Sequence, residues 1–249
     1  MQGASPPGDA RPIASARWTW LGRVPFDRAA ALQERLREAI LAGASDHETL
    51  LLCEHDPVIT LGKRARPEHL LLPASEFARR GIDLRPASRG GEVTYHGPGQ
   101  LVAYPVIRLR KGVLAHVEAM ARAVIELLAG FGVRGSWSRA EPGVWVDGAK
   151  ICAFGLHVRR GVAVHGLALN VRLPLEDFGT IVPCGKPQGQ VTSLAHHAPT
   201  APPPEALASS LAFVLGCAFG LEFRAVSRES VERVHDCKSQ IVTDMMERA

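Results

Sequence analysis

The chain has 249 residues, 46% of them hydrophobic and 22% charged, and its 29 Lys/Arg against 25 Asp/Glu leave a net charge of +4. That excludes a largely disordered chain, and no Lys/Arg run is dense enough for a nucleic-acid interface. At this length one compact domain is expected, with residues 1–14 as a tail, 15–225 as the folded domain and 226–249 as a charged tail. The five cysteines, Cys53, Cys152, Cys184, Cys217 and Cys237, are odd in number and form no CxxC pair. They speak against a disulfide framework or a Cys-rich zinc site and for a reducing cytoplasm. The first residues lack the apolar stretch of a signal peptide, and no apolar run reaches the roughly 18 residues that a spanning helix requires.

Taken in chain order, Asp27 is placed to cap a helix running to Ala42, with Leu32, Leu36 and Ile40 four residues apart and Gly43 as its stop. Residues 49–54 (TLLLCE) read as a buried strand and 58–64 as a second strand or loop entry. The stretch 81–100 reads as a glycine-rich loop, followed by a strand over 101–109. From Leu114 to Phe131 apolar residues recur at steps of three and four, which predicts the clearest helix of the chain. Residues 143–171 hold three β-rich runs divided by Asp147-Gly148 and by Arg159-Arg160-Gly161, an antiparallel meander. A loop follows over 177–194. A proline-rich stretch at 198–204 then leads into a helix over 205–219, with Leu207, Leu211, Val214, Leu215 and Ala218 on its apolar side. Strands in runs with helices around them predict an α+β fold with a mixed β-sheet flanked by helices.

Three segments could carry chemistry. RGGEVTYHGPGQLV, from Arg89 to Val102, places Tyr95 and His96 amid four glycines and a proline. Such a segment is either a tight multi-turn connection or a place where backbone N–H groups approach a ligand. It matches neither the P-loop nor the GxGxxG pattern. Cys184, in VPCG, lies between residues that disfavour regular structure, so its thiol reads as presented and reactive. Cys53, Cys152 and Cys217 sit in apolar runs and read as core. Lys150, at the entry of a strand, would ordinarily point to solvent. It matters because a thiol nucleophile requires a cation or base nearby. His165 is either a partner for such a thiol or a buried structural histidine. His196-His197 has no third ligand spaced for a metal, and no metal or cofactor is expected.

These motifs together (RGGEVTYHGPGQLVAYP, GAKICAFGLHVRRGVAVHGLALNV and IVPCG…VTSL) closely resemble those of the lipoyl(octanoyl) transferases, across about residues 16–195. The resemblance implies the fold of lipoate and biotin protein ligases. It implies transfer of an octanoyl group from an acyl carrier protein, through a cysteine thioester, to the target lysine of lipoyl domains. Those domains would belong to 2-oxoacid dehydrogenase E2 subunits and the glycine cleavage H protein. Cys184 then matches the nucleophile, Lys150 the lysine that lowers its pKa and carries the proton, and His96 a residue beside the reacting centre. Arg89, Gly90, Gly91, Glu92, Val93, Thr94, Tyr95 and His96 match the acyl-binding loop, and Ala153, Phe154, Gly155, Gly166, Leu167 and Ala168 match substrate-lining strand segments. The loop GKPQGQ after Cys184 departs from the family pattern, which bears on acceptor docking. Arg89, Arg159 and Arg160 would draw in an acidic carrier, and a monomer with no membrane or nucleic-acid partner is expected. An ATP-dependent lipoate ligase, a non-catalytic carrier-binding module and a cysteine hydrolase are the alternatives.

Overall fold

The computed structural model describes residues 14–43, 48–182 and 191–233. An eight-stranded mixed sheet forms its spine, in the order β11-β1-β2-β6-β10-β9-β8-β7. The strands are β1 (Ala14–Val24), β2 (Thr49–His55), β6 (Gln100–Arg108), β7 (Ser136–Trp137), β8 (Gly143–Val146), β9 (Ala149–Arg159), β10 (Val162–Asn170) and β11 (Leu221–Ala225). β1 runs parallel to both β11 and β2, and from β2 to β7 every neighbour is antiparallel.

The centre of the sheet is covered on both faces, which is why β2 reads as a continuous apolar run rather than an alternating one. Leu50 and Leu52 face a core shared with α3 (Gly112–Ala129) and α5 (Pro204–Phe219). Leu51 and Cys53 face the opposite core, under α1 (Phe26–Ala42). The meander follows the expected turns: Asp147 and Gly148, with φ of 48° and 79°, join β8 to β9, and Arg160 and Gly161, at 49° and 81°, join β9 to β10. Positive φ at both central residues is the two-residue hairpin geometry that suits the twist of the flanking strands.

The structure departs from the sequence-based expectations at several points. The stretch 81–100 is not all loop: β4 (Asp83–Pro86) and β5 (Val93–His96) flank β3 (Val58–Leu61) in a second, three-stranded sheet. Asp27 does not cap α1, since the helix begins one residue earlier behind Pro25, and the Asp27 carboxylate instead accepts from Arg85 Nε at 2.8 Å. In α3 the apolar periodicity holds from Val117 onward, but Leu114 is exposed. Cys53 and Cys152 are buried as expected, whereas Cys217 is exposed on α5. Beyond Ala225 a short helix, α6 (Arg228–Glu232), packs on β1 and buries Val231 completely beside Leu21, Val24 and Leu32. No helix among the described residues is long and apolar enough to cross a membrane.

Candidate active site

Two adjoining cavities lie where the small sheet meets the face of the large one. The inner chamber, about 70 Å3, is walled by Arg89 and the run Gly91–Thr94, by His96, and by two strand segments. Those segments are direct partners across the β9–β10 hairpin: Gly155 faces Gly166, Phe154 faces Leu167 and Ala153 faces Ala168. The outer cleft, about 660 Å3, is lined by Gly90, Trp137, Trp145, Lys150, Leu156 and Val191 among others. Gly91, Glu92, Phe154 and Gly155 border both, so the two cavities lie side by side across these residues. Of the residues matched to the acyl-binding loop, Tyr95 alone lines neither cavity; like Val93 it enters the small-sheet core, where it lies edge-on to Phe178 at 5.6 Å.

The small side chains along these cavities follow from close approach of neighbouring groups. A Cβ on Gly155 would stand 2.8 Å from Arg89 Cδ, and one on Gly166 would stand 2.2 Å from the Ala103 carbonyl oxygen. Strand β5 alternates, so Val93 and Tyr95 enter the small-sheet core while Thr94 and His96 face the chamber.

A chain of hydrogen bonds holds this wall. Arg89, only 9% exposed, donates from Nε and Nη2 to Thr60 Oγ1 at 3.2 and 2.8 Å, and from Nη2 to the Thr60 carbonyl at 2.7 Å. With its oxygen accepting from the guanidinium, the Thr60 hydroxyl is left to donate to His96 Nε2 at 3.3 Å. On the other side Gln100 Nε2 donates to Asn170 Oδ1 at 2.9 Å, which turns Gln100 Oε1 towards His96 Nδ1–H at 2.6 Å. Asn170 Nδ2 donates in turn to the Thr192 carbonyl at 3.0 Å, and the Thr192 N–H to the Lys150 carbonyl at 3.0 Å. The sequence reading missed Thr60, Gln100 and Asn170. The spacing of His96 and Gln100 across the Gly-Pro-Gly turn is the one local hint.

The imidazoles of the chamber carry no charge. Burial, with the charge that His55 and His165 would carry if protonated and the nearby Arg89 guanidinium, pushes the His96 imidazole down to about 3, against the opposing hydrogen bond to Gln100. Burial also lowers His165 to about 3 and lowers His55. All three rings are therefore neutral near pH 7. Burial raises the Cys53 and Cys152 thiols far above the usual range, so neither is a nucleophile.

Lys150 sits on β9 with its ammonium 4.8 Å from the Trp145 ring centroid, facing the outer cleft. Cys184 lies outside the described residues; of those flanking it, Val191 pairs with Lys150 in a parallel bridge and lines the same cleft. Arg89 is committed to Thr60 rather than to solvent, and Arg159 is paired with Glu38. The basic residues at the cleft itself are Arg64, Arg139 and Lys150. No group of three or more His, Cys, Asp or Glu able to hold a metal occurs among the described residues.

The profile of the lipoyl protein ligase A/B catalytic domain matches residues 26–215. An octanoyltransferase of Chloroflexus aggregans is 45% identical over 207 residues, spanning 81% of this chain and 93% of that protein. One from Acidobacterium capsulatum is 41% identical over 190 residues, spanning 70% and 77%. Among solved structures, lipoate-protein ligase A bound with ATP has a TM-score of 0.72 at 18% identity, over 88% of this chain and 92% of that one. A bi-partite lipoate protein ligase from Thermoplasma acidophilum gives 0.71 at 18%, over 89% and 90%. At such identities the structural likeness is one of fold.

Proposed function

The chain belongs to the lipoyl protein ligase A/B catalytic-domain family, and we propose that it is an octanoyltransferase that moves its acyl group through a thioester on Cys184. The observation that carries this reading is the pair of adjoining cavities. A narrow inner chamber walled largely by small and apolar residues and neutral rings, with the Arg89 guanidinium turned to Thr60, suits an aliphatic chain, and it adjoins a cleft where Lys150 stands. Each methylene buried there is worth roughly 0.8 kcal/mol.

The donor in this reading is octanoyl-acyl carrier protein. The Cys184 thiolate attacks the thioester carbonyl, and the carrier's phosphopantetheine sulfur leaves as thiolate and takes up a proton. The target lysine of a lipoyl domain then attacks the Cys184 thioester. An amide forms, the Cys184 sulfur is released, and the amine proton passes to Lys150. As an ammonium Lys150 favours the thiolate, and as an amine it accepts that proton. His96, neutral and bonded on both ring nitrogens, enters as part of the chamber wall rather than as a proton carrier. The acceptors proposed are the lipoyl domains of 2-oxoacid dehydrogenase E2 subunits and the glycine cleavage H protein, in a cytoplasmic setting. No step requires ATP, because the donor thioester is already activated.

Intact-protein mass tests the reading. Incubated with octanoyl-acyl carrier protein alone, the enzyme gains one octanoyl group, and an apo lipoyl domain then discharges it. Cys184→Ala abolishes the adduct. Transfer by that variant at the wild-type rate would replace the thioester with direct attack by the acceptor lysine. Acylation of the lipoyl domain from free octanoate only when ATP is supplied would make the protein a ligase instead.

A further inference from the structure

The inner chamber has an end wall, and a third cavity lies behind it. Phe26, the first residue of α1, is 6% exposed and lines the chamber. Its ring lies nearly parallel to those of His96 and His165, with centroids 6.4 Å away on each and interplanar angles of 10° and 6°, and His55 meets it edge-on at 5.7 Å. Behind it is a cavity of about 290 Å3 between α1 and the turn at Pro86–Ser88, lined also by Ala30, Ala31, Gln33, Glu34 and Val164. Phe26 and His165 are the two residues that border both spaces. His165 is held in place: its backbone N–H donates to Gln33 Oε1 at 2.7 Å, and its Nε2 is 2.9 Å from Ser88 Oγ. Its φ of 60° is a backbone state that a β-strand adopts only under such constraint. Phe26 and His165 thus stand between the two spaces, the histidine pinned by hydrogen bonds and the phenylalanine without a polar tether.

We propose that Phe26, backed by His165, is the stop against which the far end of the acyl chain rests, and that it sets the accepted length at eight carbons. This rests on the octanoyltransferase reading. The occupant on the near side is the aliphatic tail, and the space behind would receive the additional methylenes of a longer chain once the ring is gone.

The test compares octanoyl- and dodecanoyl-acyl carrier protein as donors, read as the ratio of their kcat/KM values. Phe26→Ala joins the two cavities. A buried methylene is worth about fourfold, so the dodecanoyl-to-octanoyl ratio should rise by tenfold or more. Phe26→Leu, which disturbs the helix start less, should shift it in the same direction by a smaller factor. Ala30 lines the rear cavity alone, so Ala30→Leu added to Phe26→Ala should return the ratio towards wild type, while Ala30→Leu by itself should leave it unchanged. A folded Phe26→Ala or Phe26→Leu enzyme with the wild-type ratio would overturn the stop while leaving the octanoyltransferase reading intact. Failure of the wild-type enzyme to accept octanoyl from the carrier would overturn both.

Discussion

A Cβ on Gly166 would meet the Ala103 carbonyl on the neighbouring central strand, and β6 has no room to withdraw because it is buried along its length. The same methyl on Gly155 would meet a side-chain carbon of Arg89 instead. Gly166→Ala should therefore destabilise by more than about 2 kcal/mol, the scale of forced overpacking. Gly155→Ala should cost less stability but disturb Arg89 and the Thr60–His96 chain behind it. Thermal unfolding separates the two, and equal shifts in Tm would refute the distinction. Lys150 yields a different kind of experiment. Lys150→Ala should slow both half-reactions of the proposed mechanism. Lys150→Arg keeps a cation for the thiolate but cannot accept a proton, so it should acylate better than it transfers. Single-turnover rates for the two steps, measured separately, decide this; parallel losses in both would remove Lys150 from proton transfer.

At the scale of elements, the hairpin was legible in the sequence as a turn at Arg159-Arg160-Gly161, which the structure narrows to Arg160-Gly161 by pairing Arg159 with Val162. Once Arg160-Gly161 is recognised as a two-residue turn, the register is symmetric about it, and Gly155 must face Gly166 and Ala153 face Ala168. Helices α1, α3 and α5 announced themselves by apolar spacing, and Gly43 stopped α1 in the left-handed conformation as expected. What was not legible depends on partners distant in the chain. β1 draws its order from parallel pairing with β11, some two hundred residues away, and β5 becomes a strand only because β3 lies beside it. Thr60, Gln100 and Asn170 are ordinary polar residues until three strands bring them together. Helix α6 is the same case: five residues with no strong propensity, ordered by burying Val231 and by Arg228 donating to the Leu21 carbonyl at 2.7 Å. Val231→Ala should thus cost about 1–3 kcal/mol, and a chain ending at Ala225 should lose at least as much. Chemical denaturation measures both, and a truncated chain as stable as the full one would show that α6 does not belong to the folded body.

Across the whole molecule the buried histidines set a common sensitivity to acid. Burial lowers His116 to about 4, with Arg110 adding to the effect, and the ring is stacked on Phe219 at 4.6 Å between α3 and α5. His96 and His165 lie at about 3. In the unfolded chain each would titrate near 6.5. The folded pKa values are depressed, so the unfolded state binds more protons once pH falls below 6.5. The stability is complete above that value and is lost progressively down to about 3 to 4. For a single such histidine the loss at pH 5 is about 2 kcal/mol. His116 offers the cleanest trial because it lines neither cavity of the site and its Nε2 is buried without a partner. His116→Phe keeps a ring against Phe219 and removes the titrating group. Its unfolding free energy should fall by about 2 kcal/mol less than that of the wild type between pH 7.5 and pH 5. Identical losses in the two proteins would mean that His116 carries its proton in the folded state, and that the acid lability comes from elsewhere in the fold.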